Sequence, residues 1–161
     1  MGDNMRKTKW KAYAIWIILV EAVGALAAWL TRDGVEIYNA AVVKPNLSPP
    51  PVLFPIVWAI LYALMGISIA RIYLNPDSAA RTQSLRLFIV QLVFNFLWSI
   101  IFFNFQAFGL AFVWLVVLWA LILMMILTFN KVDPPAAKLQ IPYLIWVTFA
   151  GYLNLMVWLL N

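Results

Sequence analysis

The chain has 161 residues, of which 66% are hydrophobic and only 11% are charged, and its mean hydropathy is +0.93. A soluble domain is usually about half apolar and a quarter charged, and a domain of this size leaves much of its surface exposed. The composition therefore excludes an ordinary soluble enzyme and indicates a protein that lies in a lipid bilayer.

The residue types exclude further chemistries. The sequence contains no Cys and no His, so it has no disulfide, no thiol nucleophile, no Ser-His-Asp triad and no His ligand for haem or zinc. We therefore expect neither a metal site nor a cofactor. The net charge is +5, but the basic residues lie at the ends of apolar runs rather than on one polar face, so we expect no nucleic-acid partner.

Five apolar runs are long enough to cross a bilayer, which takes about 20 residues in a helix. In chain order we predict helices at about residues 12–30, 52–74, 87–105, 110–129 and 134–160. The third and fourth runs are almost continuous, and we place a tight turn between them at Gly109. Asp133 followed by Pro134 is a typical helix start. The sequence thus predicts an all-α integral membrane protein, a single domain over residues 1–161 built as a five-transmembrane-helix bundle.

The distribution of Lys and Arg predicts the orientation of this bundle. One side would receive nine basic residues, which are Arg6, Lys7, Lys9, Lys11, Arg71, Arg81, Arg86, Lys131 and Lys138. The other side would receive only Arg32 and Lys44. The positive-inside rule then places the N-terminus inside and the C-terminus outside. A cleavable signal peptide is the alternative for the first span, although the acid Glu21 within it argues against cleavage.

The longest predicted loop, residues 31–51, is rich in proline. Proline fixes φ and removes a backbone donor, so the end of this loop should be a stiff, non-helical strap that leads into the second helix. We interpret it as a lid over the outer end of the bundle, with simple loop rigidity as the alternative. The candidate lid residues are Lys44, Pro45, Pro49 and Pro50.

Three of the predicted helices carry a face that mixes aromatic, polar and small residues. Such a face should point into the protein, because a polar side chain in hydrocarbon is costly without a partner. Two interpretations stay open: polar packing between helices, or an internal apolar pocket with a few polar anchors. The candidate ligand-binding residues are Trp58, Tyr62, Gln91, Asn95, Trp98, Trp146, Ala150 and Asn154.

Glu21 is the only acid deep inside a predicted span. An acid near a bilayer centre costs about 2.5–3.5 kcal/mol on insertion scales. We expect it to be neutral, or to form a hydrogen bond with an amide such as Gln91 or Asn95. It could instead be a proton-coupled site, and the chain would then be a proton-coupled transporter of small molecules.

Four motifs occur in order along the chain. They are Lys44-Pro45-x-x-x-Pro49-Pro50, Val57-Trp58-x-x-Leu61-Tyr62-x-x-Met65-Gly66, Gln91-Leu92-x-x-Asn95-x-x-Trp98 and Pro142-Tyr143-Leu144-x-Trp146-x-x-Phe149-Ala150-x-x-Leu153-Asn154. Each motif is weak alone, but in this order and spacing they resemble the signature of the TspO/MBR family, the translocator proteins. The match runs from residue 44 to residue 154. The chain resembles a bacterial-type member of the family, so we expect it in a bacterial cell membrane.

This resemblance implies a homodimeric five-helix receptor that binds tetrapyrroles such as protoporphyrin, and drug-like apolar ligands, in a pocket inside the bundle. It further implies a role in stress signalling or transport. In some bacterial members two tryptophans are implicated in light-dependent porphyrin breakdown, and they match Trp58 and Trp146; whether this chain is an enzyme stays open. No Lys or Arg follows Tyr152, so the cholesterol motif of animal members is absent and the sequence gives no support for sterol binding.

Overall fold

The structure is a computed structural model that describes the backbone of residues 2–161 and the side chains of residues 9–161. Over this range the elements are α1 (Gly2–Ala41), α2 (Leu53–Tyr73), α3 (Ala79–Ser99), a π-helical turn (Ile100–Asn104), α4 (Phe108–Val132), α5 (Pro134–Lys138) and α6 (Ile141–Leu160). Five segments are long and apolar enough to cross a membrane, with α5 and α6 together forming the fifth. The predicted five-helix membrane fold is confirmed. The side chains of Arg6 and Lys7, used above for the orientation, lie outside the described residues.

The first helix is longer than the sequence analysis predicted. α1 continues to Ala41, so the first part of the predicted loop 31–51 is helical and only residues 42–52 connect α1 to α2. Thr31, Gly34 and Tyr38 follow one another at three- and four-residue intervals and face the bundle, which is helical periodicity. At 40 residues and about 1.5 Å per residue, α1 exceeds the roughly 30 Å hydrocarbon core.

The turn between the third and fourth spans lies at Gln106 rather than at the predicted Gly109. Gln106 has a φ of 49° and is the only non-glycine residue in the described part of the chain with a left-handed backbone. Gly109 is already inside α4, where a Cβ would lie 2.7 Å from Cε2 of Trp158. The glycine therefore allows close packing of α4 against α6, and it is not needed to reverse the chain.

The fifth span begins where the sequence predicts, at Pro134, but Asp133 does not cap it through its side chain. The carboxylate instead binds Arg71 of α2. A break between α5 and α6 follows at Leu139 and Gln140. Pro142 explains this break, because proline has no N–H to donate and its ring clashes with the carbonyl four residues earlier.

Helices α1 and α2 pack closely because α2 carries a glycine at their crossing. A Cβ at Gly66 would lie 2.6 Å from Cα of Ile17, which is a backbone atom and cannot rotate away. Glycine at this position therefore sets the separation of the two helices, and with it the depth at which the side chains of α2 enter the core.

We predict that Gly66→Ala lowers the thermal unfolding midpoint of the detergent-purified protein, because overpacking costs about 1–3 kcal/mol. The matched control is Gly151→Ala in α6, where the nearest atom to a new Cβ is Cδ2 of Leu115 at an ordinary 3.5 Å. Alanine is the better helix former, so the control should be neutral or slightly stabilising. Equal midpoints for the two variants would contradict the proposed close approach.

Candidate functional site

A chain of buried hydrogen bonds joins α2, α3 and α6 in the middle of the bundle. The Tyr62 hydroxyl donates to Oδ1 of Asn95 at 2.8 Å, and Nδ2 of Asn95 donates to the Tyr143 hydroxyl at 2.8 Å. The Tyr143 hydroxyl in turn donates to Oε1 of Gln91 at 2.8 Å. All four side chains are buried, so each bond replaces one that water would otherwise supply.

A second polar contact ties α3, α4 and α6 together. Nε1 of Trp98 donates to Oδ1 of Asn154 at 3.2 Å, and Nδ2 of Asn154 donates to the backbone carbonyl of Phe108 at 2.8 Å. Ala150 is buried one turn from Asn154 on the same helix. Of the two open interpretations, polar packing between helices is the one that the structure shows for Asn95 and Asn154.

Two buried N–H donors near this network have no acceptor. They are Nε2 of Gln91 and Nε1 of Trp146. Nearly all buried polar groups in proteins are paired, so an orphaned donor requires an explanation. The amide of Gln140, buried at the break before α6, lacks partners at both its nitrogen and its oxygen.

The two tryptophans predicted as reactive are half-buried among other aromatic rings. Trp58 stacks on Tyr62 with centroids 5.5 Å apart and meets Tyr143 edge-on at 6.2 Å. Trp146 packs against Phe54 at 5.8 Å and Phe149 at 5.7 Å. Both therefore lie where α2 and α6 face each other.

An open groove of about 630 Å³ runs between α2 and α6. Its lining is almost entirely apolar and consists of Val57, Ile60, Leu61, Leu64, Pro142, Ile145, Trp146 and Phe149. Ile60 and Ile145 are more than half exposed, so the groove opens on the outer surface of the helices. Of the eight predicted ligand-binding residues only Trp146 lines it. Inside the bundle, Tyr62, Gln91 and Asn95 are held in the hydrogen-bond network, and the expected ligand pocket there stays a prediction.

The sequence of this chain is similar to those of known proteins. The profile of the TspO/MBR family matches residues 16–159. The chain belongs to the TspO/MBR family. It is 38% identical over 149 residues to "Tryptophan-rich protein TspO" of Chlorobaculum tepidum, which covers 92% of this chain and 94% of that one.

More distant TspO/MBR proteins align over nearly the same length. The chain is 34% identical over 152 residues to the "Tryptophan-rich sensory protein" of Cereibacter sphaeroides, covering 92% of each chain. It is 32% identical over 151 residues to the "Translocator protein" of Bos taurus, covering 92% of this chain and 89% of that protein. The resemblance found in the motifs is thus confirmed across bacterial and animal members.

The predicted lid of this TspO/MBR protein lies against the ends of α1 and α6. Nζ of Lys44 donates to the backbone carbonyl and to Oδ1 of Asn39, each at 3.2 Å, and lies 5.2 Å from the centroid of the Tyr38 ring. Val43 and Asn161 exchange two hydrogen bonds at 3.0 Å. Pro45 is buried, Pro49 is half-buried and Pro50 is exposed. None of the four candidate lid residues lines the groove.

Glu21 is half-buried and forms no hydrogen bond with either expected amide partner in the part of the chain that the structure describes. The oxygens of both amides, and Nδ2 of Asn95, are engaged by Tyr62 and Tyr143. The expected bond from Glu21 to Gln91 or Asn95 is therefore absent. A role for Glu21 in proton-coupled transport stays a prediction.

Tyr143 is the site residue that the sequence analysis missed. It was counted as part of a family motif, yet it forms two of the three bonds in the core network. The signal was present, because Tyr143, Val147, Ala150 and Asn154 repeat at four, three and four residues and share one helix face.

We predict that Tyr143→Phe destabilises the protein by about 1–3 kcal/mol, since it leaves Nδ2 of Asn95 and Oε1 of Gln91 buried without partners. Thermal unfolding in detergent would measure the loss. Tyr152→Phe is the matched control, because Tyr152 is exposed and its hydroxyl forms no hydrogen bond among the described residues. A midpoint as low for Tyr152→Phe as for Tyr143→Phe would contradict the assigned network.

Proposed function

We propose that this protein is a membrane receptor for flat apolar ligands of the tetrapyrrole class, which bind in the groove between α2 and α6. The observation that carries this proposal is the buried indole N–H of Trp146, which has no acceptor and belongs to a residue of an otherwise apolar groove. Small-molecule sites are typically apolar with a few placed polar groups that orient the ligand. The unpaired N–H belongs to a residue that lines the groove, so a ligand that brings an acceptor next to Trp146 would satisfy it.

The dimensions and chemistry of the groove support this class of ligand. Its volume of about 630 Å³ lies within the roughly 300–1,000 Å³ of typical small-molecule sites. Trp146 and Phe149 offer aromatic surface to a wide π-system. The opening on the outer surface of the helices lets a poorly soluble ligand enter from the bilayer, without passage through water.

A tetrapyrrole carries hydrogen-bond acceptors, which the apolar groove lacks. The two imine nitrogens of a metal-free ring and its carboxylates accept hydrogen bonds, and the indole N–H of Trp146 can only donate one. A metal-free ring suits this chain better than haem, because the sequence has no His or Cys to ligate iron. The names "sensory protein" and "Translocator protein" of the relatives support a role in sensing or carrying such a ligand. The homodimer that the resemblance implies stays a prediction.

We predict that Ile145→Trp, which places a bulky ring in the groove, weakens protoporphyrin binding by about tenfold or more, a loss of about 1.4 kcal/mol. Titration of the detergent-purified protein, followed by the shift of the porphyrin absorbance band, measures this. Ile18→Trp on α1 is the matched control, since Ile18 and Ile145 are 66% and 64% exposed and only Ile145 lines the groove. If both variants bound as wild type does, the ligand would not occupy this groove.

Light-dependent breakdown of the ligand is a separate prediction. If Trp146 takes part, irradiation of the wild-type complex should bleach the porphyrin, and Trp146→Phe should slow the bleaching severalfold while binding is retained. Trp58→Phe should have a smaller effect, because Trp58 does not line the groove. Trp10→Phe is the control, since Trp10 is 70% exposed, lies near the N-terminal end of α1 and does not line the groove. Equal bleaching rates in the protein and in buffer would show that the complex is not an enzyme of this kind.

A further inference from the structure

A second cavity, of about 190 Å³, lies at the opposite end of α2 from the lid. Here α1, the C-terminal end of α2 and the junction between α4 and α5 meet. We call it the basic-end cavity, and it is lined by Lys9, Tyr13, Arg71, Leu74, Asn75 and Asp133. Unlike the groove between α2 and α6, it has a mostly polar lining and shares no residue with that groove.

Arg71 and Asp133 form the wall of this cavity. Nε of Arg71 donates to Oδ2 of Asp133 at 2.7 Å, and Nη2 donates to Oδ1 at 3.1 Å. Nδ2 of Asn75 donates to the backbone carbonyl of Arg71 at 2.9 Å, which fixes the end of α2 beneath it. A guanidinium has five N–H donors, and the carboxylate takes two, so the remaining donors can serve a further acceptor.

The cavity carries a net positive charge. Lys9 and Arg71 contribute two positive charges and Asp133 contributes one negative charge, so their sum is +1. Arg71 and Asp133 form an ion pair that is close to neutral, so the net charge of the cavity comes from Lys9. The same end of the bundle also carries the exposed Lys11, Lys131 and Lys138. An anionic group is therefore the ligand that this cavity favours electrostatically.

The surrounding aromatic residues place the cavity at the level of the lipid headgroups. Trp10 follows Lys9 in the chain and is 70% exposed, and Tyr73, two residues after Arg71, is 47% exposed. Exposed Trp and Tyr at the ends of spans are typical of the membrane–water interface. Leu74 and Tyr13 give the cavity an apolar side next to its cations.

We propose that the basic-end cavity binds the phosphate of an anionic phospholipid, with the phosphate between Lys9 and Arg71. The volume equals roughly six waters at about 30 Å³ each, which accommodates a phosphate and the first atoms of its glycerol ester. Basic pockets between spans on the side predicted to face inside are typical sites for such headgroups. A single net positive charge provides little binding free energy for a free phosphate ion. A phospholipid gains additional binding free energy from its acyl chains.

Lys9 and Lys11 provide a matched test of this site. Both are exposed lysines near the start of the first span, but only Lys9 lines the cavity. The full chain in detergent is titrated with phosphatidylglycerol, with phosphatidylcholine and with inorganic phosphate, and bound lipid is counted by native mass spectrometry. Phosphatidylglycerol should bind preferentially, and Lys9→Gln should weaken it about fivefold while Lys11→Gln leaves it unchanged.

Three results would overturn the proposal. Equal losses in Lys9→Gln and Lys11→Gln would indicate diffuse attraction to the whole basic end. Equal binding of phosphatidylcholine would show that the anionic charge is not recognised. Displacement of the lipid by millimolar inorganic phosphate would identify a site for the free ion.

A second variant tests the sign of the charge effect. Asp133→Asn removes the negative charge from the wall and frees donors of Arg71, so phosphatidylglycerol should bind about twofold or more tightly. A residue with a purely structural role would not tighten lipid binding when it is replaced. Unchanged or weaker binding in a folded Asp133→Asn protein contradicts the proposal, and the lysine pair decides it if this variant fails to fold.

Discussion

Polar side chains in the hydrocarbon region must find their partners within the protein, and in this bundle that requirement centres on Asn95. Its carbonyl accepts from Tyr62 of α2 and its amide donates to Tyr143 of α6, so one residue of α3 holds two other helices in register. The hydrocarbon offers no competing donor or acceptor, so a helix that slid along its neighbour would leave these groups unpaired. The positions of Trp58 and Trp146 follow from this register.

The depth of Tyr62 depends on a different constraint, the close contact of α1 and α2. Gly66 lies one turn beyond Tyr62 and lets α2 approach the backbone of α1 at Ile17. Further along, Ser68 donates to the backbone carbonyl of Ala136 at 2.7 Å, and Arg71 binds Asp133. α2 is thus tied to α5 at its C-terminal end, while α2 and α6 meet mainly through aromatic rings such as Phe54 and Trp146. Rings do not interdigitate as closely as small residues do, and the groove lies along this contact.

The two proposed sites differ in chemistry because they lie at different depths. The groove is almost entirely apolar, which suits a ligand that dissolves in the bilayer core. The basic-end cavity has two cations and lies beside exposed aromatic residues, which suits a headgroup at the interface. Both sites use α2, so a ligand in either one contacts the helix whose register the core network sets.

The sequence by itself determined that the protein lies in a lipid bilayer, how many spans it has and to which family it belongs. Hydropathy, span length and motif spacing are all properties of the linear sequence. It also identified Gln91, Asn95 and Asn154 as inward-facing, since helical periodicity is local. Only the tertiary structure decided that Asn95 binds two tyrosines, that Gln106 rather than Gly109 makes the turn, and that the open space lies beside Trp146. Periodicity shows which face of a helix is buried, but a partner belongs to another helix, and its choice depends on how closely the helices approach.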